Sequence, residues 1–476
     1  MRGGISEADL MERAGFALGK AIGEQFPEVG TAVAYIGKGH NAGDALIALR
    51  VLQDEFGWEI GVRAGYAMEQ WAELTRAQWG GLCLERVLEK GFEKRVFGPL
   101  LLIDGLLGIG AKGALREPLA GLAHEIAELR NQLGSTVLAV DNPSGVDPDS
   151  GELSDGAVVA DRTFMIGAAK RGLLFGHAAN ATGALALVEV NGLSDLNDGE
   201  MELICPQSMT FGKSQRPFDF HKGKAGRVGI VAGSPSFTGA ALISVLGAIR
   251  AGAGLVTLYA RRDICEAIRA RLPLEAILKP CDDPAELLGE KLDSIVVGPG
   301  LGEMSESYSN GLLKLMKQTT VPVVVDADGL NLISRNGFEI DGRHLLTPHP
   351  GEFARLAAEL DGKGREDAAR AFVGKCESVL LLKGARTIVA QKDEPLRINS
   401  TGTPAMSNGG QGDLLSGVLG ALLAGGIENF DAAALGAWLC GHAAELSVAE
   451  NGDVCTATDT AVKISEALRA WRRRAR

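Results

Sequence analysis

Two series of short, apolar, β-branched runs constrain this chain more than any other feature. TAVAYIG, LLLID and STVLAVD form the first series; GRVGIVAG, SIVVGPG, VPVVVDAD and SVLLLKG form the second. Each run ends in Gly or Asp, and Ala/Leu-rich stretches with helical spacing alternate with them. A strand that reads as an unbroken apolar run is buried on both faces. Runs that alternate with helices make parallel sheets whose crossovers cover those faces. The expected fold class is therefore α/β, with functional groups collected at the carboxyl ends of the strands. Between the series, in LSDLNDGEMELICPQSMTFGKSQRPFDFHKGKAG, the apolar periodicity fades and Pro206, Pro217 and several glycines cluster. This places a boundary near residue 210 and two domains at 1–208 and 209–476, as a length of 476 residues also requires, because single cores stop growing well before that size. No fixed-period repeat links the halves.

Composition narrows the function classes. Apolar residues at 46% and charged residues at 23% describe an ordinary globular protein. A net charge of -12 would repel a phosphate backbone, so no nucleic-acid partner is expected. The one basic run, WRRRAR at the C-terminus, reads as a solvated helix end. No apolar run is long enough to span a bilayer, and no basic-then-apolar leader precedes GISEADLMERAGFALGKAIGEQF, an amphipathic helix with Ser6 and Asp9 as its capping pair. The seven cysteines, Cys83, Cys205, Cys265, Cys281, Cys376, Cys440 and Cys455, form no CxxC pair and read as small buried hydrophobes in a reducing cytoplasm.

Four strand ends of the first half carry chemistry. GKGHNAGDALIALR is a Gly-rich turn opening a helix, where backbone approaches a ligand closely and amides meet a phosphate. The others are IDGLLGIGAKG with Asp104, Gly108 and Gly110, AVDNPSGVDPDSGE with Asp141 and Ser144, and ADRTFMIGAAKRGL with Asp161 and Lys170. Asn41, Asp104 and Ser144 offer hard oxygens from separate loops, suited to an alkali or alkaline-earth cation.

The second half holds STGTPAMSNGGQGDLLSGVLGALLAGG. Asn408 to Gly412 form a concavity of backbone amides and Asp413 opens an apolar helix: an anion hole beside a base, the layout of phosphoryl transfer. Upstream, VAGSPSFTGAALISVLGAIRAGAGLVTLY gives strand, loop and helix; VVVDADGLNLI ends a strand in Asp326 and Asp328; LLTPHPGEFARL sets His349 in a Pro-rigidified loop; LLLKGARTIVA puts Lys383 at a strand end, where Lys383, Gly384 and Thr387 equally fit a hairpin turn.

These motifs resemble two families. HNAGD, the Asp104 loop, DNPSG and AAKRG look like the NAD(P)H-hydrate epimerase domain over about the first 205 residues. HKGKAG, VAGS with TGAA, GPGLG, DADGLN, TPHPGE, KGART and GGQGD are similar, in that order, to ADP- or ATP-dependent NAD(P)H-hydrate dehydratases of the ribokinase-like fold, from about His221 onward. The resemblance implies a Rossmann-like three-layer αβα sandwich followed by a ribokinase-like α/β domain. It assigns Asn41, Asp104 and Ser144 to potassium, and His40, Asn41, Ala42, Gly43, Asp44, Gly108, Ile109, Gly110, Ala111, Lys112, Gly113, Ala114 and Asp141 to the hydrated dinucleotide. Asp141 is its acid/base candidate. In the second domain it assigns Ala240, Gly302, His349 and Asp413 to the hydrated dinucleotide, and Lys383, Gly384, Ala385, Arg386, Thr387 and Gly412 to the adenylate portion of the phosphoryl donor. Asp413 is the catalytic base and magnesium bridges the donor's phosphates.

The pattern departs from the families in places. His40 stands where the epimerase loop usually has Asn, Ala42 where it has Gly, and Gln411 where the dehydratase loop has a small residue. Ala42 requires a negative φ. Joined, the two activities imply repair of both epimers of hydrated NADH and NADPH, by a cytoplasmic homo-oligomer using ADP or ATP. Two other readings share parts of the pattern: a kinase of a small alcohol, which would leave a stable phosphorylated product, and a dehydratase fused to a non-catalytic epimerase-like binding module.

Overall fold

The computed structural model describes residues 5–82, 84, 88, 98–110, 113–191, 199–206, 209–211, 217–219 and 221–474. The chain divides into two compact units, Met1–Asp198 and Gly199–Arg476.

In the first unit, β1 (Thr31–Ile36), β2 (Glu59–Ala64), β3 (Leu100–Gly105), β4 (Thr136–Val140), β5 (Arg162–Ile166) and β6 (Ala184–Val188) form one parallel sheet in the order β2-β1-β3-β4-β5-β6. All six residues of β1 and of β3 are buried, because alternate side chains serve opposite faces. Ala32, Ala34 and Ile36 pack with Leu18 and Ile22 of helix Glu7–Gln25 and Leu46 and Leu49 of helix His40–Phe56. Val33 and Tyr35 pack with Leu119, Leu122 and Ile126 of helix Leu119–Leu133 on the other face. The expected capping pair is present: Ser6 Oγ accepts from the Asp9 amide at 3.1 Å.

The second unit contributes β7 (Met201–Ile204), β8 (Arg227–Val231), β9 (Leu255–Ala260), β10 (Ala276–Pro280), β11 (Ser294–Val297), β12 (Val323–Val325), β13 (His344–Leu346), β14 (Val379–Leu382), β15 (Ile388–Ala390) and β16 (Leu396–Asn399). The sheet order is β10-β9-β8-β11-β12-β13-β14-β15-β16-β7, parallel from β10 to β14, with β15 antiparallel to both its neighbours. Its core packs Val228, Ile230, Val296, Val324 and Leu381 against helices Thr238–Arg250, Gln411–Ala424, Asn429–Asn451 and Ala457–Arg474.

Three details bear on the expectations. The compact units divide at 198/199, ahead of the expected boundary, because MELI, within the expected linker, is β7 and pairs in parallel with β16. The C-terminal basic run does end a helix and Arg473 is exposed there, but Trp471 at its start is fully buried and its indole donates to Phe211 O at 3.0 Å. Asp161 lies before β5, at the end of the strand opposite the ligand-facing one, where it pairs with Arg130 and accepts from the Val137 amide at 2.8 Å. Five cysteines are buried and Cys376 is half-buried; Cys83 lies outside the described residues. No helix among the described residues is long and apolar enough to cross a membrane.

Candidate functional site

In each unit the strand order reverses once: β1 has β2 on one side and β3 on the other, and β8 has β9 and β11. Connections leave such a switch point in opposite directions and open a crevice at the carboxyl ends of the strands.

In the first unit the turn after β1 runs straight into helix His40–Phe56. Ala42 lies inside that helix and is absent from the residues with positive φ, so the methyl is accommodated. His40 is exposed at the helix start, while Asn41, Ala42 and Gly43 are buried. Asp104, next to last in β3, is fully buried: Oδ2 accepts from the Ser144 amide at 2.7 Å, Oδ1 from Ser144 Oγ at 2.7 Å and from the Leu106 amide at 3.1 Å. Asn41 Nδ2 donates to Leu107 O at 3.0 Å, and the Leu107 amide donates to Ser144 Oγ at 3.0 Å. Asn41, Asp104 and Ser144 thus meet around one turn. Burial lifts Asp104 to about 6, against the pull of those hydrogen bonds. Its oxygens are met by hydroxyl and amide donors.

Gly108 lies over Asn41; a Cβ there would sit 3.4 Å from that of Asn41. Ile109, Gly110, Gly113 and Ala114 are exposed beside it, and Ala111 and Lys112 lie outside the described residues. Across the crevice Asp141, with φ 65, accepts at Oδ1 from the Ile166 amide at 2.8 Å and is ion-paired with Lys170, whose Nζ also donates to Ile166 O at 2.9 Å. Asp44 is pushed up to about 8 by burial and by the charge of Asp141, with Lys170 opposing. The result is a carboxylate held beside a lysine and, facing it, a carboxyl group that keeps its proton near neutrality.

In the second unit Asp413 is the third residue of helix Gln411–Ala424, whose N-cap Gly410 has φ 97. The first-turn amides of a helix have no intrahelical acceptor, so those of Gln411, Gly412 and Asp413 are free to meet an anion. Lys383 Nζ donates to Asp326 Oδ1 at 2.8 Å and lies 3.7 Å from Glu352 Oε2. Asp326 Oδ2 accepts from Ser416 Oγ at 2.7 Å. A Cβ at Gly412 would come within 3.3 Å of Lys383 Nζ, so the amine stands directly under the anion loop. Burial raises Lys383's preference to deprotonate, yet Asp326 and Glu352 prevail and hold its pKa above the ordinary lysine value. Burial and then Asp326 lift Asp413 to about 6, with Lys383 pulling it down.

The remaining expected residues fall in two groups. Gly302, with φ 61, donates its amide to Asp328 Oδ2 at 2.8 Å, and Ala240 stands beside Gly300 of the same loop. His349 caps helix Pro350–Leu356: Nδ1 accepts from the Gly351 amide at 3.0 Å, while Glu352 reaches back to the His349 amide at 2.8 Å. Gly384 to Thr387 form the hairpin turn between β14 and β15, and Arg365 clasps it through Lys383 O at 3.1 Å and Ala385 O at 2.8 Å. Lys383 therefore parts from its neighbours and points into the acidic cluster at Asp326. Arg386 is half-buried, and the loss of solvent around its guanidinium lowers it to about 10.

Sequence reasoning passed over Ser234, Ser244, Glu352 and Ser416. Ser234 Oγ is buried without a partner among the described residues, and a Cβ at Gly302 would come within 2.9 Å of it. Ser244 Oγ donates to Asp413 O at 2.9 Å. Only Glu352 had a signal, the three-residue spacing of a capping box after His349.

The NAD(P)H-hydrate dehydratase family model matches residues 228–467, and that of the YjeF-related protein N-terminus matches residues 7–172. A bifunctional NAD(P)H-hydrate repair enzyme of Gloeobacter violaceus is 36% identical, over 91% of this chain and 88% of its own. One of Methanopyrus kandleri is 34% identical, over 98% and 93%. A crystal structure of a ribokinase-like superfamily protein from Enterococcus faecalis covers 58% of this chain and 99% of its own, at 25% identity and a TM-score of 0.51.

Proposed function

The chain belongs to the family of bifunctional NAD(P)H-hydrate repair enzymes, and from that membership we propose how its residues divide the work. The first unit interconverts the R and S epimers of hydrated NADH and NADPH; the second dehydrates the S epimer at the expense of ADP or ATP. The tandem family match disfavours a simple alcohol kinase, and the intact Asp104, Ser144 and Asp141 set disfavours a first unit that only binds.

The observation that carries the dehydratase assignment is Asp413, a carboxylate lifted to about 6 at a helix N-terminus, with Lys383 under the same turn. Asp413 accepts the proton of the substrate hydroxyl as its oxygen attacks the terminal phosphorus of the donor. The amides of Gln411 and Gly412 and the Lys383 ammonium meet the charge on the transferred phosphoryl group. With ATP the other product is ADP, and with ADP it is AMP. Phosphate then leaves with the carbon–oxygen bonding pair while the neighbouring carbon gives up a proton, restoring the dihydronicotinamide. Hydroxide is a poor leaving group and phosphate a good one, which is the reason for the phosphoryl step. Ala240, Gly302 and His349 hold the hydrated dinucleotide, and the Gly384 to Thr387 turn holds the donor's adenylate.

No group of three or more His, Cys, Asp or Glu side chains among the described residues is placed to hold a metal, so magnesium is assigned to the donor's own phosphates, where it would neutralise charge. In the first unit Asn41, Asp104 and Ser144 would hold potassium, which would fix the turn against which the pyrophosphate lies. Asp141, ion-paired with Lys170, removes a proton, and Asp44 supplies one; the crevice between residues 40–44 and 108–114 holds the dinucleotide. Cytoplasmic residence and self-association come from the family resemblance.

The test is recovery of dihydronicotinamide absorbance from a mixture of R and S NADH hydrate with ADP or ATP, magnesium and potassium, beside Asp413→Ala. Complete recovery, faster than spontaneous epimerisation, is expected. A stall at the S fraction removes the epimerase assignment, and no recovery with either donor removes the dehydratase.

A further inference from the structure

Gln411 stands where the dehydratase loop has a small residue, and none of the roles above uses its side chain. Its Nε2 donates to Cys455 O at 3.1 Å, across 44 positions of sequence. Asn408 Nδ2, three residues earlier, donates to the same carbonyl at 2.6 Å. Two side-chain amides thus flank Gly409 and Gly410 and tie both ends of that turn to one oxygen.

The oxygen is a fixed post. Cys455 is fully buried, and Thr456 after it leads into helix Ala457–Arg474. The Thr456 amide donates to Asp459 Oδ2 at 2.9 Å, and Thr456 O accepts from the Thr460 amide at 3.0 Å. The turn, by contrast, cannot fix itself. Gly410, with φ 97, is the N-cap of helix Gln411–Ala424 and brings no side chain to that end. Paired glycines are the freest backbone a chain has, so the residues that flank them decide where the amides of Gln411, Gly412 and Asp413 point.

Gln411 keeps its place at a cost. Its Oε1 is buried with no partner among the described residues, and an unpaired buried acceptor destabilises the fold. Turning the side-chain amide over does not help, because its oxygen would then face the Cys455 carbonyl. An apolar side chain of the same length would fill the space without that penalty. Packing alone therefore does not call for a glutamine; the hydrogen it donates does.

We infer that Gln411 is a positioning residue for phosphoryl transfer: with Asn408 it fastens the Gly409 and Gly410 turn to the Cys455 carbonyl, and so aims the first-turn amides and Asp413 at the moving group. The inference rests on the dehydratase reading and deepens it.

The experiment compares the full chain with Gln411→Met, which keeps the length and loses the donor, and with Gln411→Glu, which keeps the shape but turns a charged oxygen toward the carbonyl. Single-turnover cleavage of ADP or ATP in the presence of S NADH hydrate reads the phosphoryl step itself; steady-state KM values and thermal midpoints accompany it. Gln411→Met is expected to slow the step roughly tenfold, less than the 10²- to 10³-fold loss of an oxyanion donor removed outright, and Gln411→Glu is expected to slow it further. KM for hydrate and donor should stay within about twofold. The thermal midpoint of Gln411→Met should hold or rise, since the unpaired oxygen goes together with the hydrogen bond. A phosphoryl step unchanged in Gln411→Met overturns the inference, as does a Gln411→Glu variant as fast as wild type. A rate that falls only together with the thermal midpoint and both KM values also overturns it, by reducing Gln411 to a structural residue. A wild type inert toward hydrate with either donor would instead overturn the dehydratase reading beneath it.

Discussion

A carboxylate that takes a proton in the transition state works only when ionised, so the value of about 6 at Asp413 sets the acid limb of the reaction. Dehydratase kcat/KM should fall tenfold per pH unit below about 6 and level off above it. Lys383 lowers the Asp413 pKa, so Lys383→Met should move that inflection upward as well as reduce kcat; a pH–rate profile of the two proteins checks both. An inflection that stays in place would mean that Lys383 does not act on Asp413. Which residues carry chemistry was partly legible in the chain. Asp413, Asp104 and Ser144 stand in Gly-rich turns at the ends of apolar runs, where local pattern alone marks a strand end. The partners of Lys383 were not legible: Asp326 is 57 positions away, and the bond from Ser416 to Asp326 spans 90, distances at which no local periodicity speaks.

Asp413 also depends on how its helix is seated. Helices Gln411–Ala424 and Thr238–Arg250 approach backbone to backbone, and a Cβ at Gly417 would fall 1.9 Å from Ser244 O. Main chain cannot yield there as a side chain would. Gly417→Ala should therefore cost at least the roughly 1–3 kcal/mol typical of overpacking, seen as a lower thermal midpoint. It should also lower kcat, because Ser244 fastens the Asp413 carbonyl. A variant as stable and active as the wild type would show that the two helices separate freely. The buried parallel strands and their order of appearance could be read from apolar runs alone. The antiparallel β15 and the edge pair β16 and β7 could not, since TIVA, LRIN and MELI are only three or four residues long in the sheet and lie beside turns or in Pro/Gly-rich sequence. Their pairing is decided by the sheet they join.

At the scale of the whole molecule, two complete crevices imply two separable activities. Asp413→Asn should abolish dehydration, by at least the 10²- to 10⁴-fold typical of a lost acid/base group, while epimer exchange, followed by chromatography, continues. Asp141→Asn should leave dehydration of pure S epimer unchanged and stall a mixed sample once its S fraction is consumed. Loss of both activities in either variant would contradict two independent sites. A fragment beginning at residue 209 lacks β7 and leaves β16 as an unpaired edge; it should aggregate where one beginning at 199 stays monodisperse by size-exclusion chromatography. The same strand has a history during synthesis. Met201 leaves the ribosome 195 residues before Leu396, its partner in β16, an interval of roughly 10–40 s at ordinary elongation rates. Through that interval the first unit is free to fold while the strand next to it has no sheet to join, so the chain begins its second unit with a piece that only the near-complete protein can put away.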